Sequence, residues 1–149
     1  MQSSQAVSTA VIIGLVAGLP AFIGVWLLVT SFLGVLSGWF RLQRRYPLCD
    51  EERLLTFPME SGWVGIVQYR NCLVLSACRS GLRVAGWRIL GPLERPFIVP
   101  WTEIYSQWVP GWFGPRAQLS FGADFGSMKI KAATWESLVN CVKARPPYD

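Results

Sequence analysis

The chain has 149 residues, with 14 Lys+Arg, 9 Asp+Glu, no His and a formal net charge of +5. Apolar residues make up 52% and charged residues 15%. That balance excludes a disordered chain and is too apolar for an ordinary soluble domain of this length. The lack of histidine excludes a His-based triad, a His metal site and a His proton shuttle.

Residues 1–40 carry no charged side chain, and from residue 6 to residue 40 the chain is almost continuously apolar. A hydrocarbon core of about 30 Å needs about 20 apolar residues as helix. The run is longer, so tilt, a kink or an N-terminal part in protein contact must take up the excess, and Pro20 is the expected kink. Two spans would need about 40 residues, which disfavours a hairpin. A cleaved signal peptide would have a basic N-terminal stretch and a shorter apolar core, so a retained anchor is the expectation. Gly14 and Gly18, and again Gly34 and Gly38, have the GxxxG spacing that lets membrane helices pack closely. A bland lipid-facing helix accounts for them equally well.

Arg41, Arg44 and Arg45 follow the apolar run. The positive-inside rule then puts the N-terminus outside and the remainder in the cytoplasm. Trp39 and Tyr46 flank the same boundary, where amphipathic rings prefer to lie, so Trp39, Arg41, Arg44, Arg45 and Tyr46 are the expected membrane-interface residues. The arginines serve topology, and they could also meet anionic lipid headgroups. Residues 1–45 thus read as a transmembrane helix with a basic cytoplasmic flank, and residues 46–62 as a connector broken by Pro47, Pro58 and Gly62.

Residues 63–149 read as a β domain ending in a helix. Short strands are expected over 63–70, 72–79, 82–87, 97–101 and 105–109, with Pro100 confining the fourth to an edge or a bulge. Residues 110–115 must be a loop. Ala117, Leu119 and Phe121 alternate with polar residues, as do Met128, Ile130 and Ala132, giving a half-buried strand pair joined across 122–126. Thr134 suits an N-cap, Trp135, Leu138, Val139 and Val142 form one apolar helical face, and Pro146-Pro147 should stop the helix.

Six or seven antiparallel strands plugged by a helix describe a small barrel or bent sandwich. That order resembles the pleckstrin-homology-like fold; SH3-like and PRC-barrel folds share the pattern. The stretch Phe97-Ile98-Val99-Pro100-Trp101-Thr102-Glu103-Ile104, with Ser37-Gly38-Trp39 and Tyr46-Pro47, resembles a family of uncharacterised bacterial single-span membrane proteins with a PH-like cytoplasmic domain. The resemblance implies a bacterial inner (cytoplasmic) membrane protein and supplies no catalytic residues. The expected fold is therefore one N-terminal transmembrane α-helix plus a small antiparallel β-barrel or sandwich capped by a C-terminal helix.

Cys49, Cys72, Cys78 and Cys141 have no CxxC spacing and no His partner, so free thiols in a reducing cytoplasm are expected, with no metal site. The nine acids form no tight motif, and Glu103 is the one expected to be partly buried and paired. No phosphate loop or nucleophile elbow is present, so no catalytic residue, cofactor or small-molecule substrate is expected. Beyond the three arginines the remaining charge is +2, too little for nucleic acid. Arg70, Arg79, Arg83 and Arg88 are scattered in sequence. The domain's six Trp exceed what so small a core can bury, which is three or four rings. Trp108, Trp112 and Phe113 are the expected partner interface, although the loop could instead fold onto its own core. The expected role is a non-catalytic accessory or scaffold subunit of a larger integral membrane complex, docking through its transmembrane helix and β domain. The alternative is a membrane-anchored sensor of anionic lipid headgroups.

Overall fold

The computed structural model describes residues 2–89 and 91–145; the proline stop at 146–147 lies outside them. Helix α1 (Gln2–Leu36) is continuous, with Pro20 inside it. Ser3–Leu36 is long and apolar enough to cross a membrane, and its most apolar stretch is wholly exposed. A turn through Ser37 and Gly38 leads to α2 (Trp39–Arg45). Gly38 has φ +75°, a conformation that a residue with a Cβ rarely adopts. Seven strands follow: β1 (Arg53–Val64), β2 (Val67–Cys78), β3 (Gly81–Gly86), β4 (Phe97–Pro100), β5 (Ile104–Val109), β6 (Arg116–Phe121) and β7 (Gly126–Lys131). Helix α3 (Ala132–Ala144) ends the described chain.

The strands form one antiparallel sheet, in the order β4-β3-β2-β1-β7-β6-β5, that curls into a half-barrel. Its concave side holds Val64, Leu73, Leu75, Leu82, Val84, Phe97, Val99, Leu119, Phe121, Met128 and Ile130, all fully buried. The expected pair of alternating strands is β6 and β7, with Leu119 opposite Met128 and Ala117 opposite Ile130. Pro100 ends the edge strand β4, where its missing N–H costs no ladder bond.

Two features depart from the sequence reading. Residues 53–62, expected within a connector, belong to β1, which pairs with β2 along its length. Pro58 and a left-handed Met59 (φ +57°) sit where the register shifts between Phe57 and Glu60, so the irregularity is a bulge and not a break. The hairpin between β1 and β2 turns on Gly65 and Ile66, inside what had read as a single strand. Gly65 has φ +58°, and a Cβ there would lie 2.6 Å from the Ser37 carbonyl oxygen.

The second departure concerns the residues after α1. Trp39, Leu42 and Tyr46 fall at i, i+3 and i+7, so they share one face of a short helix, and that face enters the core of the β domain. Trp39 packs edge-on against Phe97 and tilted against Tyr69, and its indole N–H donates to the Arg95 carbonyl at 2.9 Å. Leu42 presses on Gly126, where a side chain would find it within 3.0–3.2 Å. The Tyr46 hydroxyl donates to Glu103, the acid that had been expected to find a partner, and its ring meets Phe125 edge-on. Trp135 and Leu138 of α3 fill the same core, so the half-barrel is packed by two helices. At α3, Thr134 does not cap: Lys131 stands at the cap position, and buried Thr134 donates to half-buried Glu60, whose carboxylate lies near the helix's positive end.

The final turns of α1 also touch the domain. Strand β3 pairs only with Leu73 to Ala77 of β2, leaving the edge of β2 free before that. Trp26, Val29, Thr30 and Leu33 of α1 lie along Val67–Tyr69 and Cys72, with an apolar groove between them. Contact between the apolar helix and the β domain is thus confined to the helix's C-terminal third, well past Pro20.

Truncating Trp39 removes the largest fully buried side chain of the domain. Trp39→Ala is expected to cost about 3–5 kcal/mol, whereas Arg41→Ala, on the exposed face of α2, should stay within about 0.5 kcal/mol. Thermal unfolding of the full chain in mild detergent, followed by near-ultraviolet circular dichroism, checks both.

Candidate functional site

The residues expected at a membrane boundary divide into two sets. Trp39 and Tyr46 are 0% and 4% exposed, so their rings serve the core of the β domain. Arg41, Arg44 and Arg45 lie on the opposite, exposed face of α2. The Arg45 guanidinium sits 5.2 Å from the Phe125 ring centre and 5.7 Å from that of Tyr46, over two aromatic faces. Arg44 borders a groove of about 600 Å³ with Arg88 and Arg95, between Gln43, Pro47, Leu48 and Pro96. Gln43 fixes one wall by accepting the Arg95 backbone N–H at 2.8 Å. The fold thus gathers five arginines around α2, and among the described residues the one ion pair is Lys131 with Glu60, at 4.0 Å. Sequence distance hid this collar, because Arg88 and Arg95 lie more than forty residues from α2.

The glycines also divide. Gly14 and Gly18 have nothing within 4 Å of an added Cβ, so they are open to contact from outside the chain. Gly34 and Gly38 serve the joint between α1 and α2. A Cβ at Gly34 would strike Phe40 at 2.8 Å and Glu94 at 3.2 Å, and Gly38 makes the turn.

Beside that joint lies a buried acid that the sequence reading did not single out. Glu94 is 7% exposed and accepts the Tyr69 hydroxyl proton at 2.8 Å, while the same hydroxyl stands 3.4 Å from Ser37 Oγ. Burial pushes the Glu94 carboxyl above the ordinary carboxylate range, against the lowering effect of the Tyr69 bond. It also raises Tyr69, with Glu94 adding to the rise. The Cys72 and Cys78 thiols are pushed up by burial as well, which disfavours the reactive thiolate. Among the described residues, no group of three His, Cys, Asp or Glu side chains could hold a metal ion.

Trp112 and Phe113 are 93% and 91% exposed, so their loop does not fold onto the core. Trp108, at the end of β5, is also exposed. The loop borders a groove with Trp63, Gln68, Val109, Arg116 and Lys129. Gln68 belongs equally to the apolar groove of about 300 Å³ between α1 and β2, so the two grooves meet at one side chain. Of the six Trp in the β domain, Trp135 is buried, Trp63 and Trp101 are half-buried, and Trp87, Trp108 and Trp112 are exposed.

No family model, curated protein or solved structure matches the chain.

The raised Glu94 carboxyl gives a testable pH dependence. The folded chain holds this proton to higher pH than the unfolded chain, so stability falls as pH rises from about 4.3, the free glutamate value, through the raised one. Glu94→Gln should flatten that fall. Melting temperatures of both proteins between pH 4 and pH 8 are expected to diverge, the variant losing less as pH rises.

Proposed function

We propose that this protein is a non-catalytic accessory or scaffold subunit of a larger integral membrane complex, with α1 crossing the bacterial inner membrane, its N-terminus outside and its β domain in the cytoplasm. The observation that carries the reading is the continuity of two unpartnered surfaces. The groove beside Trp26, Val29 and Leu33 of α1 and the groove at the exposed Trp112–Phe113 loop meet at Gln68, which lines both. A partner that itself crosses the bilayer could contact both. Exposed aromatic anchors supply large contact area at low entropic cost, and the open Gly14 and Gly18 face suits a neighbouring helix. The strand order, the curled sheet and the C-terminal helix support a pleckstrin-homology-like description of the domain.

The gathering of Arg41, Arg44, Arg45, Arg88 and Arg95 favours a second reading, in which the domain senses anionic lipid headgroups. On that reading, binding of the domain to vesicles would weaken steeply with salt.

Full-length protein extracted in mild detergent is expected to carry a stoichiometric membrane partner, identified by mass spectrometry. The paired change Trp112→Ala and Phe113→Ala should cut recovery of that partner about tenfold, a loss of roughly 1.4 kcal/mol, with the melting temperature unchanged. Equal recovery with wild type and variant would overturn the reading.

A further inference from the structure

The loop between β3 and β4 presents Trp87, Ile89 and Leu93 to the outside, at 42%, 74% and 54% exposure. Single exposed apolar residues need no explanation, but three on one short loop do. The loop is not free-standing. Its Trp87 N–H donates to the Cys72 carbonyl at 3.0 Å, its Gly91 and Glu94 amides close turns, and Glu94 lies against Gly34 and Tyr69. It is therefore held against the last turns of α1. Residues 6 to 36 of that helix run about 46 Å at ~1.5 Å per residue, close to the ~40–45 Å of a bilayer counted with its headgroup layers. A helix centred in a bilayer would bring Gly34, and the loop resting on it, to headgroup depth. Arg88, between Trp87 and Ile89, and Arg95, two residues past Leu93, put cations among and beside the apolar side chains, as in segments that enter an anionic surface. Neighbouring Ile66, 71% exposed, tips the hairpin whose Gly65 packs on Ser37.

We infer that the β3–β4 loop is a second membrane contact, in which Trp87, Ile89 and Leu93 enter the lipid interface beside α1 while Arg88 and Arg95 meet its anionic headgroups. The inference rests on α1 crossing the bilayer and on no protein partner. Two contacts on one rigid body fix the tilt of the domain, which a single helix does not.

The test uses the full chain in vesicles of phosphatidylcholine and phosphatidylglycerol. An environment-sensitive NBD fluorophore is placed on one new cysteine at a time, with Cys49→Ser and Cys141→Ser removing the accessible native thiols. Val16→Cys reports on the span, Ile89→Cys and Leu93→Cys on the loop, and Gln107→Cys, on the far edge strand β5, on water. Quenching by spin-labelled acyl chains is compared with quenching by aqueous iodide. The lipid-to-water quenching ratio at 89 and 93 is expected to exceed that at 107 several-fold, with a blue-shifted emission. A ratio at both loop positions equal to that at 107, or quenching there by neither agent, would overturn the inference while lipid quenching at 16 left the span intact. Loss of lipid quenching at 16 would instead overturn the span, and this inference with it.

Discussion

The structure depends on one piece of packing: the face of α2 made by Trp39, Leu42 and Tyr46 lies inside the β domain. A half-barrel of seven strands cannot close its own concave side, and a domain this small buries too little surface to leave part of it wet. Helix α3 fills the core with Trp135 and Leu138, and α2 fills it with the indole of Trp39 at the centre. Because α2 is joined to α1 by only Ser37 and Gly38, the apolar helix and the β domain meet through a packed joint rather than a tether. Glu94, Tyr69 and Ser37 complete that joint with a buried polar cluster, and Gly34, Gly65 and Gly126 supply the close approaches it requires.

This packing sorts the outer surface. With the aromatic face of α2 turned inward, its arginines are left outward, and the β3–β4 loop brings Arg88 and Arg95 beside them. The Trp112–Phe113 loop lies at the opposite end of β6 from the turn that touches Tyr46, about 20 Å away along six strand residues at ~3.3 Å each. The arginine collar and the Trp112–Phe113 loop thus lie at different places. The proposed roles follow that division, with lipid contact near the joint and protein contact at the aromatic loop and along the α1 groove.

Much of the fold was legible in residue order. The apolar run, the alternation over Ala117–Phe121 and Met128–Ile130, the apolar face of the last helix and the edge position of Pro100 each follow from local periodicity or backbone chemistry. What was hidden was non-local. Arg53–Val64 contains Pro58 and a bulge, which break alternation without ending the strand, and Gly65-Ile66 makes a turn with almost no turn signature. Trp39 and Tyr46 have the composition of a membrane boundary, and only their i, i+3, i+7 spacing with Leu42 hinted at burial. That Arg88, Arg95 and Glu94 would stand beside α2 carried no signal at all, since pairing of distant strands brings them there. Gly and Pro residues on both sides marked Trp112 and Phe113 as a loop, but they left open whether that loop folds onto the core; only the structure shows its exposure.

The most direct test of the central packing compares two fragments, residues 37–145 and residues 47–145, by denaturant unfolding and amide hydrogen exchange. If α2 completes the core, the longer fragment unfolds in one cooperative transition with strong protection in β3, β4, β6 and β7, while the shorter one loses cooperativity and that protection. Equal midpoints, slopes and protection in the two fragments would contradict the account.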